Sequence, residues 1–294
     1  MVEKSKGFQI FAHIVMIVIA VCSLAPFLLL LSSSFTDDKA LTEYGYSFFP
    51  RVFSAEAYEY LFTSSTSIFR AYGISILITV VGTLVNLTLT TLYAYPLSRR
   101  DLPIRNVFAF ILFFTMLFSG GLVPSYIMWT QTFHIRDTLF ALLIPNLLMG
   151  GFNVIMMRTY LNANIPDAVI EAARIDGASE FKILRSIVLP MATPILATLA
   201  LLVGLAYWND WQNGLYYINN TNLYSIQVLL MNLQRSLDAL TKNAASGGNI
   251  STANLPSTSV RMAITVMGVL PVMIIYPFLQ KYFVKGISIG AVKG

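Results

Sequence analysis

Six long, predominantly apolar stretches of this chain contain no Asp, Glu, Lys or Arg: residues 8–35, 71–98, 106–130, 138–157, 186–209 and 262–280. A helix rises about 1.5 Å per residue, so about 20 apolar residues cross a hydrocarbon core of about 30 Å. Each stretch comes close to that length or exceeds it. Lipid offers no partner to an unpaired backbone amide, so a chain built this way crosses a membrane as helices. The reading is an all-α membrane protein with six transmembrane helices in a single domain, 1–294, with spans at about 8–35, 71–98, 106–130, 138–157, 186–209 and 262–283. Composition agrees, because only 11% of residues are charged and 56% are hydrophobic, against about 25% charged in soluble domains.

An even number of spans leaves both termini on one side, and the basic residues say which. With a cytosolic N-terminus the inner segments hold twelve Lys and Arg and the outer segments seven. Arg99, Arg100 and Arg105 crowd one short inner turn, whereas all the outer ones but Arg136 are spread over two long loops, 36–70 and 210–261. Short cytosolic loops carry the basic excess, so both termini are expected in the cytosol. The net charge of +5 then reflects topology and contact with anionic lipid, and needs no nucleic acid.

Several function classes are disfavoured by what the chain lacks. Lys4 and Lys6 precede an apolar run as in a signal peptide, but the run is too long and Ala25-Pro26 offers no cleavage site, so it reads as a retained span. Cys22 stands alone and forms no internal disulfide, and His13 and His134 have no neighbours at ligand spacing, so no metal is expected. There is no G-x-x-x-x-G-K-S/T phosphate loop to cradle ATP, and no H-E-x-x-H or G-x-S-x-G motif. The chain is expected not to be an enzyme. The charge-free windows also argue against a proton-coupled carrier, which normally keeps an intramembrane carboxylate.

The most informative polar segment is the loop 158–185 between the fourth and fifth spans. Pro166 is acceptable at a helix start, Asp167 to Asp176 runs without a breaker, and Gly177 suits the left-handed residue past a helix end. Ser179 can cap a second helix, with Glu180 in its first turn. Ala168, Ala172 and Ile175 share one face of the first helix, and Glu171 and Arg174 sit three apart on another. That describes a short docking helix with a smooth side and a charged side.

This run resembles the EAA loop of permease subunits in bacterial ABC importers. The pattern appears here as Glu171, Ala172, Ala173, Asp176, Gly177 and Ala178, followed by Ile187, Leu189, Pro190 and Pro194; Leu184 stands where the family usually carries an aromatic. The resemblance implies the type I ABC importer permease fold, with 166–178 as a cytosolic coupling helix seated in a cleft of a separate ATPase. It assigns the coupling contact to Glu171, Ala172, Ala173, Arg174, Asp176, Gly177 and Ala178. ATP and Mg would sit on that partner, with no cofactor held by this chain.

The outer segments narrow the resemblance. Loop one, 36–70, reads as an amphipathic segment on the outer surface, and LYSIQVLLMNLQRSLDAL in loop three repeats apolar residues at helical spacing. WNDWQNGLYYI after the fifth span and QKYFVKGISIGAVKG at the end resemble carbohydrate permeases of the maltose type. Trp208, Trp211, Tyr216 and Tyr217 can stack on sugar faces, and Asn209 and Asn213 can bond hydroxyls; the same residues also suit an interfacial aromatic belt. By the same resemblance the tail, including Lys293 and Gly294, reaches between ATPase subunits, the alternative being a frayed end on anionic lipid. The implied partners are a second homologous permease, two copies of a cytosolic ATPase, an extracytoplasmic sugar-binding lipoprotein and an oligosaccharide. A permease for another solute, a secondary carrier and a membrane scaffold are the rival readings.

Overall fold

A computed structural model describes residues 6–63, 66–245 and 258–291 of the chain. Two compact units emerge, Met1–Phe69 with Leu229–Pro271, and Arg70–Val228 with Val272–Gly294. Among the described residues the secondary structure is helical, apart from one isolated antiparallel bridge between Thr36 and Phe53.

The first unit begins with α1, Lys6–Ser34, whose apolar side chains are exposed around almost its whole circumference; only Ser33 and Ser34 at its end are buried. A helix apolar on every side needs lipid or protein around it. Loop one, read as a surface amphipathic segment, contains two short helices, α2 Asp38–Tyr44 and α3 Glu56–Thr63. Asp37 caps α2 by accepting the amides of Lys39 and Ala40 at 3.0 and 3.1 Å. The bridge folds the loop back, and Phe35 stacks on Phe53 and packs at a tilt against Tyr58, with ring centroids 5.6 and 4.8 Å away.

The second unit holds most of α4, Thr66–Ser98, which matches the expected second span. The expected third span, 106–130, is instead two arms, α5 Arg105–Leu117 and α6 Leu122–Ile127 with a π turn to Thr132, meeting at 111°. Gly120 and Gly121 lie at the corner, and Gly121 adopts φ 83°, a left-handed conformation that stops a right-handed helix. The fourth expected span, 138–157, is also interrupted. It contains α7 Leu139–Leu143, a non-helical stretch 144–150, and the start of α8 Gly151–Asn164. Pro145 lacks an amide hydrogen and Asn146 takes φ 62°, so the helix cannot continue through them.

Unwound backbone at membrane depth requires donors, and three side chains supply them. The Tyr207 hydroxyl donates to the Leu143 carbonyl (2.8 Å), the Asn213 amide to that of Pro145 (2.9 Å) and the Asn86 amide to that of Leu147 (2.7 Å). All three side chains are buried. Thr90 in turn donates to the Asn86 carbonyl oxygen at 3.1 Å, which fixes the orientation of that amide.

After α8 come α9 Asp167–Ile175 and α10 Glu180–Ile183, then a π turn, Leu184–Val188, and the single turn α11 Leu189–Met191. The chain bends by 79° where this arm meets α12, Thr193–Trp208, between Pro190 and Pro194. The expected fifth span therefore begins with a proline-bounded elbow. Two helices follow, α13 Gln212–Tyr217 and α14 Ile226–Ala245, the second on the predicted helical stretch of loop three. The last helix, α15 Thr258–Ala291, outlasts the expected sixth span and carries the backbone of 285–291 as helix; Lys293 and Gly294 lie outside the described residues.

Among the described residues, α1, α4 and the first part of α15 are each long and apolar enough to cross a membrane, and the number is five if each bent pair forms one span. The interrupted segment from α7 to α8 is where the fourth charge-free window falls, the one that this count leaves out.

Candidate functional site

The polar loop folds as its sequence demands. Pro166 sits in an extended conformation just before α9, so its missing amide hydrogen costs no helix bond. At the other end the Ala178 amide donates to the Ala173 carbonyl (2.9 Å) and the Gly177 amide to that of Arg174 (3.0 Å), around Gly177 at φ 79°. This paired closure is the Schellman arrangement, which uses the left-handed glycine to satisfy carbonyls at a helix end. Ser179 then caps α10 by accepting the Lys182 amide at 3.4 Å.

The two faces of α9 differ sharply. Ile170 is buried, and Ala173 and Ala178 pack against the same core as Ile183 and Leu184, so Ala173 and Ala178 hold the loop to its own chain. Leu184, at the position where an aromatic was expected, is itself a core residue. Glu171, Ala172, Asp176 and Gly177 are exposed, and Ile175 is 86% exposed with Phe181 beside the turn at 68%. Glu171 forms no ion pair among the described residues.

Arg174 behaves differently from its neighbours. Its guanidinium turns back on its own chain, donating to Asp101 at 2.7 Å and to Glu180 at 2.7 Å through Nε, with a further 2.5 Å contact to the same Glu180 oxygen. Tyr95 donates to the other Glu180 oxygen at 2.7 Å, and Arg99 lies 3.5 Å from Asp101. Arg100 and Asp167 approach to 3.6 Å. The Arg174 guanidinium holds the Asp101 carboxyl below the usual carboxylate range. Glu180 is lowered too, chiefly by the hydrogen bond from Tyr95 and then by Arg174. The two carboxylates raise the pKa of Arg174 in return, Asp101 most strongly. Sequence reading placed Arg174 on the partner-facing side and missed Asp101 and Tyr95; across a separation of 73 residues no local pattern points from Arg174 to Asp101.

The outer aromatic candidates do not form one exposed cluster. Trp208, Asn213 and Tyr217 are buried, Tyr217 stacking on Tyr126 at 5.9 Å and Asn213 committed to the Pro145 carbonyl. Asn209 is exposed and bonds Leu205 in its own helix, Trp211 is 41% exposed, and Tyr216 is half-buried. Asp210 caps α13, accepting the amides of Gln212 and Asn213 at 3.1 and 3.3 Å. Among the described residues no group of three or more His, Cys, Asp or Glu is placed to hold a metal ion.

Comparison with known proteins agrees with a helical membrane chain. Residues 102–289 match the family described as the binding-protein-dependent transport system inner membrane component. The chain belongs to this family. It is 37% identical over 272 residues to Protein LplC of Bacillus subtilis (strain 168), covering 92% of this chain and 90% of that one. It is 33% identical to the polygalacturonan/rhamnogalacturonan transport system permease protein YtcP of the same strain, over 99% and 100% of the two chains. Among solved structures, a chain of a bacterial ABC transporter involved in the import of the acidic polysaccharide alginate superposes with a TM-score of 0.79 at 30% identity, covering 96% of this chain and 99% of that one. The expected type I ABC permease fold is thus the fold observed, in a multi-pass membrane protein. As a permease of this family the chain is a non-enzymatic subunit, and ATP hydrolysis resides on a separate one.

Proposed function

We propose that this chain is one of two related permease subunits of an importer for an oligosaccharide, delivered by an extracytoplasmic binding lipoprotein and moved by alternating access. Two copies of a cytosolic ATPase bind ATP and Mg; this chain binds neither. The observation that carries the reading is the exposed face of α9, where Ile175, Ala172 and Glu171 stand free beside the Schellman turn. An isoleucine 86% exposed on a polar loop is a poor surface residue and a good anchor for a partner cleft. Saccharide is supported by the relatives, since the proteins similar along the full length include permeases named for polygalacturonan/rhamnogalacturonan and for melibiose, raffinose and stachyose. Trp211 and Asn209 are the accessible members of the outer aromatic group for contact with the substrate pathway or the binding protein.

Capture of the ATPase tests the coupling role. Burying an isoleucine side chain is worth about 1.5–3 kcal/mol, so Ile175→Asp should weaken ATPase retention about tenfold or more. Glu171→Lys should weaken it as well, by reversing an exposed charge. Normal retention by both variants would remove α9 as the docking element. A screen of the associated binding protein against neutral and uronate-containing oligosaccharides tests the substrate class; binding of amino acids or peptides alone would overturn it.

A further inference from the structure

Both bonds that leave Arg174 lead toward the end of α4. One runs to Asp101, three residues beyond the end of that helix and approached from the other side by Arg99. The second runs to Glu180, whose far oxygen accepts the hydroxyl of Tyr95, a residue of α4 itself. Between the end of α4 and the α9–α10 turn lies a cavity of about 410 Å³, floored by Leu92, Pro96, Leu102 and Leu184. Arg174, Asp101 and Glu180 line the same cavity. At this level the loop and the long helix are therefore joined across a space by charge-assisted hydrogen bonds, which are directional in a way that apolar contact is not.

We propose that Arg174 is a positioning residue that couples α9 to α4: displacement of the docking helix is delivered to the cytosolic end of α4 through Asp101 and through Glu180 to Tyr95. The proposal rests on the reading above that α9 docks an ATPase, and it gives Arg174 a role distinct from docking. Ion pairs this exposed add little to stability, so their removal should leave the fold in place. What it removes is the rigid connection. The planar arginine fork reaches two carboxylates at once; a lysine ammonium is a single point charge and holds one geometry less firmly.

The test uses the whole transporter in proteoliposomes, with its ATPase and with binding protein in the outer medium. A reporter cysteine replaces Ser67 near the outer start of α4, in a Cys22→Ala background. Its reaction rate with a maleimide is measured before and after trapping with ATP and orthovanadate. In the parent complex trapping changes that rate. Arg174→Ala should retain the ATPase and its hydrolysis yet lose the trapping-dependent change, and Arg174→Lys should restore part of it. If Arg174→Ala assembles poorly, Asp101→Asn combined with Tyr95→Phe breaks both routes and should give the same loss. An undiminished change in either variant overturns the proposal, as does a parent complex in which Ser67→Cys does not respond. Loss of ATPase retention in Arg174→Ala makes the residue a docking contact instead and also overturns it. A parent chain that never captures an ATPase removes the functional reading beneath it.

Discussion

Gly82 shows how a single absent side chain can set a position in this molecule. A Cβ built there would lie 2.4 to 2.6 Å from ring atoms of Tyr207, the residue whose hydroxyl holds the Leu143 carbonyl. Gly82→Ala should therefore displace the ring and leave a buried carbonyl without its donor, at about 1–3 kcal/mol. Gly73 lies in the same helix with open space around its Cβ position, so Gly73→Ala should be neutral or slightly stabilising. Thermal unfolding of the two purified variants in one detergent checks the pair, and equal melting temperatures would contradict the packing argument. The carboxylates of the Arg174 cluster give a second prediction. Asp101 and Glu180 both have lowered pKa values, so the stability they add is present above the ordinary carboxylate range and is lost only as pH falls through their depressed values. Amide protection of α9, corrected for intrinsic exchange, should stay constant from neutral pH to about pH 5 and fall only in stronger acid, by less than about 1 kcal/mol because the groups are half exposed.

At the scale of elements, the interrupted segment 144–150 makes the clearest demand on its neighbours. Asn213→Leu removes the donor to Pro145 and should destabilise by about 1–3 kcal/mol, the cost of a buried acceptor left unpaired. Asn86→Leu should cost about as much at the Leu147 carbonyl. Both are read by thermal unfolding in detergent, and a melting temperature unchanged in both would mean that other groups satisfy this backbone. Charge-free windows locate such elements well, because a missing charge is a property of each residue. They do not reveal bends. Gly120-Gly121, Pro145-Asn146 and the pair Pro190 and Pro194 are all visible breakers, yet a count of charges passes over them, and two windows each expected as one span contain bends of 111° and 79°. The polar loop 158–185 is more legible than the spans, because capping and left-handed glycine are local rules: Gly177 and Ser179 stand where those rules put them. Long-range choices were not legible. Nothing within a few residues of Asn213 shows that its amide faces the Pro145 carbonyl, 68 residues away, and not a sugar hydroxyl. Nor does the spacing of Arg174 reveal that it points inward.

For the whole molecule the question is which ends face the cytosol, and the distribution of charge proposes one testable topology. If the N-terminus is inside, the turn after α4 and the α9–α10 turn are inside, and α2 is outside. The Arg99, Arg100 and Arg105 cluster then lies in the cytosol, where basic residues near short loops are favoured. The same topology presents Ile175 and Glu171 to a cytosolic ATPase, so an error in orientation would undo the functional reading as well. Single cysteines in a Cys22→Ala background separate the possibilities. Ser179→Cys is exposed in the α9–α10 turn, Ser98→Cys is half-buried at the end of α4, and Thr42→Cys is exposed on α2. In intact cells a membrane-impermeant thiol reagent should label Thr42→Cys and spare the other two; after permeabilisation Ser179→Cys should label as fast as Thr42→Cys. The permeabilised arm removes burial as an explanation for protection at position 179. Labelling of Ser179→Cys in intact cells, with Thr42→Cys protected, would invert the topology and place α9 where no cytosolic ATPase can reach it.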